Sequence, residues 1–342
     1  MLGILGGLFV VAAAVGSGSY FELSPPERSC LSCHEIQEPY DRWAQSTHRN
    51  VTCKLCHGGT FTALKENVTR LVGHVRNKFH DEMALSEEQV VAMTAVCGGC
   101  HTQEYAEWKA SGHGVGYAAI FLDEKHNAAE QLAGDCLRCH GMFFKGNMAD
   151  MVEPLDTKGP WRLKQEGSAS RPAVPCLACH QVHVAGHPVS GQAASADEAS
   201  ATSKEPRNPA SLYCRREKKY IAAAELPVAR VQDHGRAVLV SADPRQRVCM
   251  QCHAPNAFGQ AGSGDDRTPR GVHEGISCAA CHQGHASEAT ASCDQCHPKF
   301  SNCGLDVRTM DTTFHAAQSK HNIHSVACGD CHTAGVPGKK KG

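Results

Sequence analysis

The sequence has 342 residues and a formal net charge of −1, with 34 Lys and Arg against 35 Asp and Glu. A chain without a basic surplus is poorly suited to nucleic acid, because such binding depends on Lys and Arg that neutralise phosphates. Twenty cysteines and 22 histidines, beside an aromatic content of only 6%, indicate a chain organised by thiol and imidazole chemistry.

The first element in the chain is an apolar segment. Residues 2–21 contain no charged side chain, and Glu22 is the first. Twenty apolar or small residues are just long enough to span a bilayer as a helix. A cleaved signal peptide is the alternative, although the Lys or Arg that usually precedes its apolar run is missing. We predict that residues 1–21 are a membrane anchor or a signal segment and that the remainder of the chain is exported.

The pattern Cys-x-x-Cys-His occurs nine times, and we number these motifs one to nine in chain order. Two thiols on one helical turn can add to the two vinyl groups of one porphyrin, and the following imidazole then ligates the iron. Zinc is the alternative, but zinc sites do not require a His directly after each second Cys. We predict nine covalently attached c-type hemes, held by Cys30, Cys33, Cys53, Cys56, Cys97, Cys100, Cys136, Cys139, Cys176, Cys179, Cys249, Cys252, Cys278, Cys281, Cys293, Cys296, Cys328 and Cys331. The predicted proximal iron ligands are His34, His57, His101, His140, His180, His253, His282, His297 and His332.

Two cysteines lie outside the motifs, Cys214 and Cys303. They form either a disulfide pair or free thiols. About 38 residues of chain accompany each motif, which is too little to build an ordinary apolar core, so the porphyrins are expected to supply much of the buried surface. We predict a mainly α fold with much irregular coil, built around stacked hemes, with one N-terminal apolar, transmembrane helix.

The first two modules after the apolar segment differ in heme content. Residues 22–85 are predicted to form a two-heme, membrane-proximal module, and apolar spacing within 60–83 predicts an amphipathic helix there. Residues 86–188 are predicted to form a three-heme module that opens on a helix start, Ser86-Glu87-Glu88-Gln89.

The rest of the chain is predicted to be less regular. Residues 189–210 are rich in Ala, Ser, Pro and charge without periodicity, which is typical of a linker or surface loop. Residues 211–342 are predicted to form a four-heme C-terminal module, rich in Gly and with little recognisable secondary structure.

Two sequence repeats accompany the motifs. The pattern Tyr-x₂-Trp-x₂-Ser-x-His ends at His48 and again at His113, each time shortly after a motif. The second repeat leads into a motif, from His48 to Cys53 and from His273 to Cys278. Repeated units of this kind indicate stacked heme modules.

Thirteen histidines lie outside the motifs, whereas nine hemes need at most nine distal ligands. Ligation by two histidines throughout is therefore feasible, and it gives six-coordinate hemes of low potential. A Met could replace one distal His and would raise the potential of that heme. The predicted distal ligands are His48, His113, His183, His234, His273, His285 and His324.

Residues 1–85 resemble the membrane-anchored quinol dehydrogenases of the NapC/NirT/NrfH type. The resemblance consists of the apolar segment, the stretch Cys30-Leu31-Ser32-Cys33-His34-Glu35-Ile36, the Trp43-to-His48 stretch and motif two. That family often has a Met where this chain has Ile36. Residues 95–190 resemble nitrifier-type tetraheme cytochromes c, through motifs three to five and the repeat that ends at His113. Both resemblances imply electron transfer rather than substrate turnover.

We therefore predict an electron carrier rather than an enzyme, with quinol dehydrogenase as the enzymatic alternative. It would be anchored in the inner membrane facing the periplasm, or be periplasmic or extracellular after signal cleavage. Electrons would pass from the membrane quinol pool, along the hemes, to redox partner proteins; nucleic acid is not an expected partner. One alternative is a multiheme reductase acting on nitrite or hydroxylamine, which requires an iron with an open distal position. The other is a subunit of an extracellular cytochrome oligomer or filament.

Overall fold

The computed structural model describes residues 2–24, 31, 36–58, 68–69, 72–73, 75–76, 85–188, 207–208, 210–228, 230–233, 235–253, 274–282 and 284–286. Motifs two to seven fall within these residues. Motifs one, eight and nine, which begin at Cys30, Cys293 and Cys328, lie outside them. Most of the amphipathic helix predicted for residues 60–83 lies outside them as well.

Short helices joined by coil make up most of the described chain, as predicted. The α-helices are α1 (Leu2–Leu23), α2 (Gln37–Ala44), α3 (Cys53–His57), α4 (Glu87–Gly98), α5 (Thr102–Ala110), α6 (Tyr117–Phe121), α7 (Glu124–Ala129), α8 (Met148–Met151) and α9 (Pro244–Met250). Turns of 3-10 helix cover Gly134–Arg138, Glu166–Ser168, Cys176–Ala178 and Cys278–Ala280.

The strands form two-stranded sheets. The antiparallel pairs are β1 (Val152–Glu153) with β2 (Arg162–Leu163), β5 (Ser211–Cys214) with β6 (Lys219–Ala222), and β7 (Val231–Asp233) with β8 (Arg236–Val238). The parallel pair is β3 (His187–Pro188) with β4 (Arg207–Asn208), which lie at the two ends of the predicted linker.

The hairpins β5–β6 and β7–β8 lie where the sequence predicted little secondary structure. The turn of the first hairpin, residues 215–218, contains neither Gly nor Asn, the usual signals of a hairpin turn. Lys218 instead adopts the left-handed conformation, with φ of 51°. The strand β5 is buried at three successive positions and therefore lacks the alternating pattern by which a half-buried strand is recognised.

The helix start predicted at Ser86 is confirmed. The Gln89 backbone N–H donates to Ser86 Oγ (3.3 Å), and the Ser86 backbone N–H donates to Gln89 Oε1 (2.9 Å). This reciprocal pair is a capping box, which satisfies two backbone donors that the first turn of α4 leaves unpaired.

Helix α1 has the apolar composition predicted for the N-terminal segment. Among residues 6–20, whose side chains are described, the exposed apolar ones include Leu8, Phe9, Val10, Val11 and Val15. Within the described ranges, no helix is both long enough and apolar enough to cross a membrane. The membrane anchor at residues 1–21 stays a prediction.

The chain divides into two compact units. The first unit contains the described residues up to Val96, together with Gln181–Pro188 and residues 207–208. The second unit contains Cys97–His180 and the described residues from 210 onward. The five segments predicted from the sequence stay a prediction.

The second unit contains a protein core, which the sequence did not predict. Helices α6 and α8 and the 3-10 turn at Gly134–Arg138 contribute most of its buried side chains. Burial of such side chains stabilises a fold by about 1.5–3 kcal/mol each. The core residues are Tyr117, Phe121, Leu132, Leu137, Phe144, Met148, Met151, Val152 and Leu163.

Candidate heme sites

The described motifs three to seven share one backbone turn. In each of them the N–H of the motif His donates to the carbonyl of the first motif Cys, over 2.8–3.0 Å. The N–H of the second Cys donates to the same carbonyl, over 3.1–3.3 Å. This turn brings both sulfurs and the imidazole of a motif to one side, which is the arrangement needed to hold one porphyrin by two thioethers and one iron ligand.

In three of these motifs, a side chain between the two cysteines is buried and anchors the turn to the packed interior. Leu137 of motif four is 1% exposed and belongs to the core of the second unit. Leu177 of motif five is 3% exposed. Met250 of motif six packs against Val231 and Val238 of the hairpin β7–β8. The protein therefore fixes these motifs through their intervening side chains, and leaves the cysteines at the surface of the packed region.

Motif five has an additional support from the hairpin β5–β6. The Tyr220 hydroxyl donates to the Leu177 carbonyl between the two motif cysteines, over 2.6 Å. Burial raises the pKa of Tyr220, so this hydroxyl stays protonated as a donor. Tyr220 contacts Tyr213, whose ring stacks on Phe143 with centroids 4.2 Å apart. The contact between Tyr220 and Leu177 was not predicted, because it joins residues far apart in the chain.

The sequence repeat is also a structural repeat. Ser46 Oγ donates to the Trp43 carbonyl over 2.8 Å and accepts from the His48 backbone N–H over 3.1 Å. In the second copy, Ser111 Oγ makes the same two hydrogen bonds, to Trp108 and from His113, over 2.8 and 3.1 Å. The buried serine therefore fixes the backbone of the His that ends each repeat.

A network of backbone contacts places His113 beside the residues that lead into motif five. The His113 carbonyl accepts from the Val174 N–H over 3.1 Å, and Trp108 Nε1 donates to the Val174 carbonyl over 2.9 Å. An isolated antiparallel bridge joins Gly116 and Pro172 in the same region. Residues 113–116 are thus aligned on the segment directly before Cys176.

Three motif histidines each lie opposite a second histidine. The ring centroids are 5.8 Å apart for His57 and His183, in the first unit. In the second unit they are 6.0 Å apart for His253 and His113, and 5.8 Å apart for His180 and His285.

Burial keeps these imidazoles neutral, which is the form that binds iron. It lowers the pKa of His183 to about 4, with smaller contributions from His57 and Arg42. Burial also lowers the pKa of His113 and of His180. A neutral imidazole offers a free nitrogen lone pair, which a metal ligand requires.

Thiols of different motifs contact one another. The Cys97 thiol of motif three donates a hydrogen bond to Cys176 of motif five, which raises the pKa of Cys97. The Cys252 thiol of motif six donates to Cys139 of motif four and lowers the pKa of Cys139 to about 7. Motifs three and five, and motifs four and six, are therefore neighbours.

Motif six has further neighbours. Burial and the nearby Cys249 raise the pKa of Cys179 of motif five, and burial and the nearby Cys278 of motif seven raise the pKa of Cys249. Motif seven is held by α9, because Gln246 Oε1 accepts from the Cys278 backbone N–H over 3.2 Å. Motif six thus lies next to motifs four, five and seven.

Asp243, which caps the start of α9, is expected to make this region less stable at acid pH. Its carboxylate accepts from the Arg245 backbone N–H (2.9 Å) and from Ser277 Oγ (2.7 Å), and pairs with the Arg245 guanidinium (2.8 Å). Burial raises the pKa of Asp243, but the hydrogen bonds from Arg245 and Ser277 outweigh it and hold that pKa below its ordinary value. The stabilisation is therefore complete above the unfolded pKa of about 3.9 and is lost as pH falls through the folded pKa.

We expect Asp243→Asn to lower the free energy of unfolding by about 1 kcal/mol at pH 7, since Asn keeps the helix cap but not the ion pair. Below about pH 4 the wild type should lose this advantage, so that the two stability curves converge. The measurement is denaturant unfolding followed by far-ultraviolet circular dichroism at several pH values. Curves that stay parallel down to the lowest pH would contradict the assignment.

The predicted distal ligands fall into three groups. His113, His183 and His285 each lie opposite a motif histidine. His48 occupies the position in the first repeat that His113 occupies in the second. The distal candidates outside the described residues are His234, His273 and His324, and the proximal ones are His34, His297 and His332. The residue assignments stay predictions.

Two features of the sites were missed at the level of sequence. Ser46 and Ser111 belong to the repeat, and their presence in both copies was a signal of a shared role. The Gly284 carbonyl oxygen, which lies 3.2 Å from His113 Nδ1, is a backbone acceptor and leaves no sequence signal. Among the described residues, no group of three or more His, Cys, Asp or Glu side chains is arranged to hold a metal ion alone.

Residues 38–141 match the family described as cytochrome c7 and related cytochrome c. This segment is similar to the multiheme cytochromes of the c7 type. The matched segment contains motifs two, three and four and covers less than a third of the chain. It confirms the prediction of a multiheme c-type cytochrome with covalent heme, iron binding and a role in electron transfer. Cytochrome c7-like proteins are exported c-type cytochromes. No curated protein and no solved structure matches the chain.

Proposed function

We propose that the chain is an exported nonaheme cytochrome that conducts electrons from membrane quinol to a periplasmic or extracellular acceptor. The nine motifs, of which motifs two to four lie in the matched segment, support this number of hemes. When bound, the hemes supply one-electron iron chemistry; the protein holds them, sets their spacing and saturates their axial positions.

The observation that carries the proposal is the contact between thiols of different motifs. Because each sulfur would bond directly to a porphyrin edge, Cys97 and Cys176 would hold two hemes with neighbouring edges. The same holds for hemes attached at Cys139 and Cys252. Electron transfer between hemes falls steeply with the gap between their edges, so neighbouring attachment points favour rapid exchange.

Helix α1 supports the entry of electrons at a membrane. Its exposed side chains from Leu8 to Val11, and Val15, are apolar, and apolar side chains gain free energy when they leave water. Association of residues 2–21 with the bilayer through these side chains would hold the first heme, attached from Cys30, close to the quinol pool. Redox partner proteins accept the electrons at the far end of the heme chain.

A holoprotein preparation tests the proposal. We expect its intact mass to show nine covalent hemes, its ferric spectrum to be fully low-spin, and quinol in proteoliposomes to reduce it. A variant lacking residues 2–21, produced with a cleavable signal, is expected to keep the hemes but to lose reduction by membrane quinol. Fewer than nine hemes, or a high-spin heme that turns over nitrite or hydroxylamine, would contradict the proposal and favour a reductase.

A further inference from the structure

The three histidine pairs have the spacing that a shared iron requires. A metal–imidazole bond is about 2.0–2.1 Å long, and the bonding nitrogen lies about 1.1 Å from the ring centre, so two imidazoles on opposite sides of one iron have centres roughly 6 Å apart. The observed separations are 5.8, 6.0 and 5.8 Å. Ring pairs in direct contact lie closer, at 4.2 Å for the stacked Phe143 and Tyr213 and 5.5 Å for the edge-to-face Tyr117 and Phe121.

From this geometry we infer three axial pairs: His57 with His183 on heme two, His180 with His285 on heme five, and His253 with His113 on heme six. This inference rests on the proposed function and adds the partner of each iron to it. In every pair the distal ligand comes from more than 100 residues away in the sequence.

The first unit holds His183 beside His57 through its backbone. The Gly186 N–H donates to the Gln45 carbonyl over 3.0 Å, and an isolated parallel bridge joins Gly186 to Ser46. The segment that carries His183 is thereby attached to the end of the first repeat.

The ring of His113 is oriented by a backbone acceptor. Its Nδ1 lies 3.2 Å from the Gly284 carbonyl oxygen. A carbonyl oxygen only accepts, so Nδ1 carries the proton and Nε2 keeps its lone pair for the iron. Such a hydrogen bond fixes the ring and raises the basicity of the ligating nitrogen.

The segment 284–285 contributes to the axial ligation of both heme five and heme six. Gly284 accepts from the distal ligand of heme six, and the next residue, His285, is the distal ligand of heme five. A displacement of this segment therefore affects both irons.

Replacement of each distal His by Met tests the pairs. We expect His113→Met, His183→Met and His285→Met each to keep all hemes by mass and to convert one heme from two-histidine to His/Met ligation. The conversion is seen in the near-infrared magnetic circular dichroism and as a higher potential of one heme. The matched control is His126→Met, because the His126 ring nitrogens already lie near oxygens of Asn127 and Glu130. It should leave every heme unchanged.

Combining His113→Met with the removal of one heme at a time identifies the iron that His113 ligates. His113→Met should give no His/Met signal when Cys249→Ala and Cys252→Ala remove heme six, but should keep it when Cys176→Ala and Cys179→Ala remove heme five. The opposite pattern overturns the pairing. Unchanged ligation in a nine-heme His113→Met protein overturns the pairing alone, whereas loss of the nine-heme count in the wild type overturns the proposed function.

A second variant tests the same pair in case the Met replacement fails to fold. His113→Gly is expected to give one high-spin heme that free imidazole returns to low spin, and a low-spin spectrum without imidazole contradicts the pair.

The angles between the paired rings in the wild type provide an independent test. The ring planes cross at 63° for His113 and His253 but at 27° for His180 and His285. Deletion of heme six should therefore remove a large-g electron paramagnetic resonance signal, and deletion of heme five a rhombic one; the reverse assignment contradicts the pairs.

Discussion

Leu137→Ala is expected to lower the free energy of unfolding by about 2–5 kcal/mol, the range for truncation of a fully buried leucine. Leu137 lies between the two cysteines of motif four, is 1% exposed and packs in the core of the second unit. Removal of its side chain leaves a cavity directly beneath the attachment point of heme four. The measurement is guanidinium unfolding of the ferric holoprotein, followed by far-ultraviolet circular dichroism.

The neighbouring residue of the same motif provides a matched control. Arg138 has a side chain that is 62% exposed and an ion pair with Asp135 over 3.5 Å. Exposed pairs of this kind contribute about 0–1 kcal/mol, so Arg138→Ala should change stability by no more than that. Equal losses in the two variants would show that the motif is not anchored through its leucine.

Removal of heme six is expected to have the largest effect on conduction. The thiols of motif six lie next to those of motifs four, five and seven, so heme six joins three neighbours. In Cys249→Ala with Cys252→Ala, electrons between these neighbours must cross a wider gap. We expect the rate of electron exchange to fall at least about tenfold, which corresponds to about 1.4 kcal/mol in activation free energy. Protein-film voltammetry at increasing scan rate measures this rate.

Cys214→Ala separates loss of a heme from loss of a cysteine. Cys214 lies in β5, outside the nine motifs. This variant should keep nine hemes and the wild-type rate, whereas the heme-six variant should keep eight hemes and wild-type circular dichroism. A wild-type rate in the eight-heme protein would show that electrons bypass motif six.

The attachment motifs could be predicted from sequence because each is a local turn whose chemistry is complete within five residues. The repeats were predictable for the same reason, since Ser111 and His113 contact residues a few positions away. The partner of His113 could not be predicted, because His253 approaches it only through the tertiary fold. The core around Leu137 was missed because its short helices carry no long apolar period, and the turn at Lys218 because it lacks a turn residue.

The separation between His57 and His183 has a consequence for the order of assembly. During synthesis at about 5–20 residues per second, His183 follows His57 by roughly 6–25 s. Heme two, once attached at Cys53 and Cys56, would therefore wait for its second axial ligand until more than half of the chain has been made. A nascent chain that stops before His183 should carry a high-spin heme two, open to external ligands such as carbon monoxide, and maturation of the chain closes that position.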